Sequence, residues 1–304
     1  MNKRKNAIKS TPGEITFDIF NHFLLLAIAF IMLYPFWYVV VLSFNEALDA
    51  MRGGVWFWPR KFTLYNYQYV LSNPQVLNSY IVTIGRTVLG TLLTLTVCLL
   101  TAYSLSKKNL RGRSIILSFL LVPMFFGGTL ASNYIVFNIF GLLNSFWIYV
   151  IPGCFSFFYM VIIRTFIYSL PPSLDESARI DGAGHVRILV SIILPLCTPV
   201  IATVALYTAV GHWLDFGTNL FFVPSNSKLM VLQYMLYRLI REGRAEVLTD
   251  AQMASNASGP ANRRITGESI KMATLMVTTL PILMVYPFLQ KYFVKGMMVG
   301  ALKE

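Results

Sequence analysis

Charge is the scarcest property of this chain. Only 12% of its 304 residues are Asp, Glu, Lys or Arg, against roughly a quarter in an ordinary soluble domain. A soluble chain of this length needs ionised surface to stay dispersed, so soluble enzymes and soluble nucleic-acid domains are largely excluded. Acids are scarcer than bases, 13 against 25, for a net charge of +12. Every Asp and Glu falls in a loop, a terminus or the margin of an apolar run. Proton- and sodium-coupled carriers bury acids at the midplane as relays or ion ligands, so such a carrier acting alone fits poorly. No G-x-x-x-x-G-K-[ST] phosphate loop occurs, so any uphill movement of solute draws its energy from another polypeptide. Cysteine is rare as well. Cys98, Cys154 and Cys197 each lie in an apolar run without a second ligand at metal spacing, and read as helix-packing residues. His22, His185 and His212 are far apart and unpaired in sequence.

Apolar sequence is abundant: 56% of residues are hydrophobic and the mean hydropathy is +0.62. A basic nucleic-acid binder wears its cations on a polar, highly charged surface. Here they are rationed among apolar runs, which excludes nucleic acid as a partner and points to a lipid bilayer. A spanning helix needs about 20 mostly apolar residues. Charge-sparse stretches place six such spans near 19–44, 77–105, 114–138, 147–168, 190–212 and 271–290. The uncharged run from Ser114 to Ile163 is too long for one crossing and is divided at Gly141-Leu-Leu-Asn144. The fold class expected is an all-α membrane protein with six transmembrane helices, residues 1–18 forming an amino-terminal segment and 19–304 one transmembrane domain. Lys3, Arg4 and Lys5 resemble the start of a signal peptide, but the apolar stretch is long and no small-x-small cleavage site follows, so span one is read as uncleaved.

Orientation follows from Lys and Arg. They gather before span one (Lys3, Arg4, Lys5, Lys9), after span two (Lys107, Lys108, Arg111, Arg113), after span four (Arg179, Arg187) and in the tail (Lys291, Lys295, Lys303), against Arg52, Arg60 and Lys61 after span one and none between spans three and four. Both termini are therefore expected in the cytoplasm, and the long segment 213–270 outside. In that segment Leu229, Leu232, Met235, Leu236 and Leu239 mark one face of an amphipathic helix, on the membrane surface or packed on the protein. Arg86 falls about eleven residues from Gln75, roughly 16 Å deep in span two. An unpaired charge there is costly, so it should face a polar partner or a cavity. Carbonyls, Thr83, Thr87 and the solute are all open to it, and both a structural and a solute-facing role remain.

The loop SLPPSLDESARIDGAGHVRILVSIILPL, residues 169–195, has readable chemistry. Pro171 and Pro172 stop a helix, and Ser173 with Glu176 fits a capping box starting a new one at Leu174. Asp175 and Arg179 are spaced to pair along it. Gly182-Ala183-Gly184 permits a sharp turn, and a second helix from about His185 leads into span five, kinked near Pro195 and Pro199.

This segment resembles the EAA loop of ABC-importer permeases: E-A-A, a glycine a few residues on, then nine residues and I-x-L-P. The chain has Glu176-Ser177-Ala178, Asp181-Gly182-Ala183, nine residues after Gly182, and Ile192-Ile193-Leu194-Pro195, with Ser177 for the first Ala as the one departure. YPFWYVVVLSF, FTLYNYQYVL, AYSLSKKNLRGRS and FVKGMMVGALKE extend the resemblance, over nearly the whole chain, to carbohydrate-importer permeases of the maltose type, within them to the branch importing oligosaccharides and polysaccharide fragments. The resemblance implies a cytoplasmic coupling helix between spans four and five that docks on an ATPase through Glu176, Ser177, Ala178, Asp181, Gly182, Ala183, Ile192, Leu194 and Pro195. It implies a multi-pass protein of the bacterial cytoplasmic membrane. The partners would be a homologous second permease in a heterodimer, two ABC ATPases, an extracellular solute-binding protein and an oligosaccharide. ATP-Mg would be held by the ATPases and no cofactor by this chain. Alternatives are a permease for a phosphonate, amino acid or peptide, or a stand-alone channel or carrier. Besides Arg86, the candidates for sugar contact are Tyr134, Asn138, Tyr207, Trp213 and Asn219, which can stack on or hydrogen-bond to sugar rings; the aromatics among them fit interfacial anchors equally well.

Overall fold

The computed structural model describes residues 11–241 and 268–284. Helices and their connections account for them, with one isolated antiparallel bridge, Asn45 with Phe62. Among the described residues two compact units emerge, one from 11–70 with 268–276, the other from 71–241 with 277–284.

In the first unit, α1 (Pro12–Ser43) begins before the apolar run because Thr11 and Glu14 close a capping box, Thr11 N to Glu14 Oε2 at 2.7 Å. Its side chains are largely exposed, Phe23 and Ile31 among them, and only Val41, Leu42 and Ser43 are buried. Two short helices follow, α2 (Ala47–Met51) and α3 (Tyr65–Ser72). Buried Asn66 ties α3 to the end of α1 and the residue that follows it, its amide donating to Ser43 O at 2.9 Å and Asn45 O at 3.0 Å.

The second unit is organised on α4 (Pro74–Ser106), opened by Asn73, whose side chain accepts from Gln75 N, and by Pro74 in the first turn. Cys98 and Ala102 of α4 share a core with Met160 and Ile163 of α7 (Phe157–Ser169) and with Val200 and Val204 of α11 (Thr198–Leu214). Close approach requires glycine at one crossing: a Cβ on Gly90 would lie 2.4 Å from Nε2 of His212.

Three expected spans are broken rather than straight. The stretch 114–138 is α5 (Arg113–Phe125) and α6 (Leu130–Ile139), bent by 119° across Phe126-Gly127-Gly128-Thr129. Pro123 has already removed one backbone donor, and Thr129 caps the new helix through Ser132 N. The stretch 147–168 opens with a 3₁₀ turn, Phe146–Tyr149, and becomes α-helical only at Phe157, where Ser156 caps α7. Between them lie Pro152 and Gly153, poor helix residues. The stretch 190–212 is entered from α9 (His185–Ile188) and runs through a π segment (Leu189–Ile193) and α10 (Leu194–Leu196) before α11. It bends by 79° between Leu196 and Thr198, a sharper break than the kink expected at Pro195 and Pro199. Gly141 and Asn144, both at positive φ (65° and 54°), reverse the chain where the sequence placed a turn.

After α11 come α12 (Gly217–Phe222), a 3₁₀ turn (Ser227–Leu229) and α13 (Leu232–Arg241). The face expected of α13 is buried at Leu232, Met235, Leu236 and Leu239. It packs on α4, with Leu232 N donating to Thr83 Oγ1 at 2.9 Å. Protein packing, not the membrane surface, is thus the placement found. Among the described residues α1 and α4 are each long and apolar enough to cross a membrane, and three bent pairs qualify if each is one span. The last expected span, 271–290, continues past the described helix 268–284.

Candidate functional site

The 169–195 loop folds as two helices around a glycine turn. Helix α8 (Ser173–Ile180) starts one residue earlier than the capping box requires. Pro172 is the N-cap, in helical conformation, and no side chain caps the helix. Ser173 sits inside the first turn with Leu174 N bonded to Pro171 O, so the Ser173–Glu176 capping box does not form. Asp175 and Glu176 instead place acids in the first turn and Arg179 a base in the last, favourable to the helix dipole. The end of α8 is a Schellman motif: Gly182, at φ +78°, donates to Arg179 O at 3.0 Å and Ala183 to Ala178 O at 2.9 Å.

Of the family-motif positions, Ala178 alone on α8 is buried, and it joins the core shared by α4, α7 and α11. Glu176, Ser177, Asp181, Gly182, Leu194 and Pro195 are exposed, and Ala183 and Ile192 are half-buried. Ile180 and Val186, which sequence reasoning did not single out, stand 87% and 76% exposed on either side of the glycine turn. Large apolar side chains held out from a short polar helix are the signature of a surface built for a partner.

A clasp fixes α8 to the end of α4. Lys107 Nζ lies 2.6 Å from Asp175 Oδ1, Arg179 Nε lies 3.1 Å from Asp175 Oδ2, and the Lys107 ammonium sits 4.4 Å from the Tyr103 ring centroid. Burial would raise the Asp175 carboxyl, but the hydrogen bond and charge of Lys107, with Arg179 and His185, hold it below its ordinary value. This clasp is therefore intact at neutral pH. A cavity of about 950 Å³ opens beside it, lined by Lys107, Lys108, Asp175, Arg179, His185 and Tyr168 among others.

The second place of interest is Arg86. Its side chain is 2% exposed, with Nη1 donating to Asp215 O at 2.9 Å and Nη2 to Asp215 Oδ2 at 2.5 Å. Its guanidinium carbon lies 4.7 Å from the Tyr149 ring centroid. Thr83, which the sequence offered as a partner, is spent on Ser79 O and Leu232 N, and Thr87 makes no hydrogen bond to it. Asp215 caps the end of α11 and accepts from Thr218 N at 3.2 Å, so one ion pair joins α4, α11 and α12.

The sugar-contact candidates are not brought together as one cluster. Tyr134 and Asn138 are exposed on α6, and Tyr207 is exposed on α11. Trp213 is buried, its indole donating to Thr278 O at 3.1 Å. Asn219 is 1% exposed, donating to Val223 O at 3.0 Å and accepting from Val231 N at 2.8 Å. Those two side chains are spent on packing. Among the described residues no group of His, Cys, Asp and Glu is placed to hold a metal.

Known proteins supply the context. The model of the family described as "Binding-protein-dependent transport system inner membrane component" matches residues 14–299. The chain is 36% identical over 298 residues to the protein LplC of Bacillus subtilis strain 168, covering 98% of each. It is 32% identical over 287 residues to YtcP of the same organism, a polygalacturonan/rhamnogalacturonan transport system permease protein, covering 94% of this chain and 98% of that one. Its fold matches a chain of a bacterial ABC transporter involved in importing the acidic polysaccharide alginate, with a TM-score of 0.85 and 26% identity, covering 94% of this chain and all of the other. The chain belongs to the inner-membrane components of binding-protein-dependent transport systems, and is an ABC-importer permease subunit rather than an enzyme.

Proposed function

We propose that this permease forms half of the translocation path of an ATP-driven importer of an oligosaccharide, and that α8 transmits the power stroke. The observation that carries this is the geometry of α8. It is a short polar helix closed by a glycine turn, held to the core by buried Ala178 and to the end of α4 by the Asp175 clasp, with its Glu176 and Ile180 and the Val186 of α9 left exposed. A chain without a nucleotide loop gains a lever of this kind by docking an ATPase that has one. Residues 19–304 make the transmembrane domain, with six spans of which three are broken, and residues 1–18 and the tail lie on the cytoplasmic side with α8. A homologous second permease completes the path, two ATPases bind ATP-Mg, and an extracellular binding protein delivers solute toward segment 213–270. The solute class is supported by YtcP, named for polygalacturonan and rhamnogalacturonan transport, and by the transporter that imports the acidic polysaccharide alginate. Among the candidates for solute contact, Tyr134, Asn138 and Tyr207 keep open faces; Arg86, Trp213 and Asn219 do not. Purification of the intact complex with its binding protein tests the reading. Oligosaccharide-loaded binding protein should stimulate ATP hydrolysis, and a complex that purifies without an ATPase would overturn it.

The clasp makes a second, finer expectation. Lys107→Asp sets a carboxylate against Asp175 and should lower uptake per ATP hydrolysed several-fold. Global stability should change by about 1 kcal/mol or less, as for other partly exposed pairs. The reversed pair, Lys107→Asp with Asp175→Lys, should recover much of the loss. Equal coupling in wild type and Lys107→Asp would remove the clasp from the mechanism.

A further inference from the structure

At the same end of the second unit, two further arginines stand outside the Asp175 clasp. Arg113, the first residue of α5, and Arg164, within α7, both donate to the hydroxyl of Tyr168, Arg164 Nη2 at 3.0 Å. The two guanidiniums lie 5.5 Å and 5.0 Å from the Tyr168 ring centroid. Tyr168 in turn donates to Leu105 O at 3.3 Å, and Arg164 Nε to the same carbonyl at 3.1 Å. Among the described residues no carboxylate lies in ion-pair distance of either guanidinium, and Arg113 Nε is buried with no hydrogen-bond partner. A single neutral phenol oxygen shared by two guanidiniums leaves their charge unanswered. Two half-buried arginines in this state are arranged for an anion with several acceptor oxygens.

What lies beside the node identifies the anion. Below Arg113, Ile115, Phe119, Val122 and Phe126 follow at intervals of four, three and four residues, on one side of the chain. They are 76%, 74%, 53% and 78% exposed. The cavity that Tyr168 lines also takes in Lys107, Lys108, Asp175 and Glu176, with Asp175 already paired to Lys107 and Arg179. A phosphate headgroup with several acceptor oxygens at the end of an open apolar track is the chemistry of an anionic phospholipid.

We infer that Arg113, Arg164 and Tyr168 bind the phosphate of an anionic phospholipid whose acyl chains lie along Ile115, Phe119 and Val122. The inference rests on the proposed placement of these helix ends at the cytoplasmic membrane surface. Bound there, one lipid would bridge the ends of α4, α5 and α7, next to the loop that carries the coupling helix.

The test uses the intact complex exchanged into equal amounts of phosphatidylglycerol and phosphatidylcholine of matched chains, with retained lipid counted by native mass spectrometry. Arg113→Gln removes one guanidinium whose only described contacts are the hydroxyl and ring of Tyr168. It should lower the ratio of retained phosphatidylglycerol to phosphatidylcholine about fivefold, as one interfacial Arg predicts. Arg113→Lys, which keeps the charge and loses the fork, should fall between, and decides alone if Arg113→Gln does not assemble. Added inorganic phosphate should leave the ratio unchanged, since it supplies no acyl chain; displacement of the lipid by it would make this a free-anion site. Equal ratios in wild type and Arg113→Lys or Arg113→Gln overturn the proposal, as expected if a carboxylate of the second permease answers these arginines. Co-purification of the ATPase, scored on the same samples, separates that outcome from failure of the importer reading.

Discussion

Arg86→Met should destabilise the purified complex by about 3 kcal/mol, the lower end of what breaking a buried ion pair costs. The lower end applies because Asp215 keeps 34% of its side-chain surface and retains some hydration once its partner is gone. The loss has three parts: two charge-assisted hydrogen bonds, the stacking on Tyr149, and a carboxylate left facing a protein wall. Arg86→Met with Asp215→Leu removes the orphan charge too, so the double variant should melt nearer to wild type than the single one. The same geometry answers whether Arg86 reads the solute. With its side chain 2% exposed and both terminal nitrogens committed to Asp215, it is a pin between α4 and the end of α11. Uptake of acidic and neutral oligosaccharides should therefore fall by the same factor in Arg86→Met. Selective loss of the acidic one, with the melting temperature unchanged, would return Arg86 to the solute path.

Asp215 also shows where sequence reading stops. Scarcity of charge locates Arg86 in an apolar run and requires a polar partner for it, but nothing local names that partner 129 positions away. Hydropathy fails in a second way at the spans. It scores side chains, whereas helix continuity depends on backbone donors and on φ. Pro123 with Gly127 and Gly128, Pro152 with Gly153, and Pro195 interrupt runs as apolar as any in the chain. Each interruption is visible as letters, yet which one bends a helix by 119° or 79° is decided by packing. Local chemistry is read best where it is self-contained. The Asp175–Arg179 pair, the positive φ of Gly182 and the buried face of α13 all follow from spacing within one or two turns. The capping box at Ser173 fails for an equally local reason, because Pro172 itself takes helical angles and moves the start of α8.

Gly182→Val should abolish coupled transport while leaving the subunit folded. At φ +78° glycine holds the Schellman turn that ends α8 and redirects the chain into α9. An L-residue in the left-handed region costs roughly 1–2 kcal/mol, and a β-branched one is an outlier there. No heavy atom lies within 4 Å of a Cβ built at Gly182, so the penalty is conformational and confined to the turn. The chain relieves it by leaving the left-handed region, which breaks the Gly182–Arg179 and Ala183–Ala178 hydrogen bonds and swings Glu176 and Ile180 away from their present directions. Core contacts of Ala178 and Ile188 lie on either side of the turn and keep the domain assembled. ATP hydrolysis stimulated by loaded binding protein should drop at least tenfold, with the melting temperature little changed. Gly182→Asn is the control, since Asn tolerates the left-handed region, and it should keep much of the activity. Glu176→Lys reaches the same contact by charge: the side chain is exposed and enters none of the described ion pairs, so its replacement should spare the fold and impair stimulation. Normal stimulated hydrolysis and uptake in Gly182→Val would show that the direction of α8 does not matter, and the coupling role proposed for it would fall.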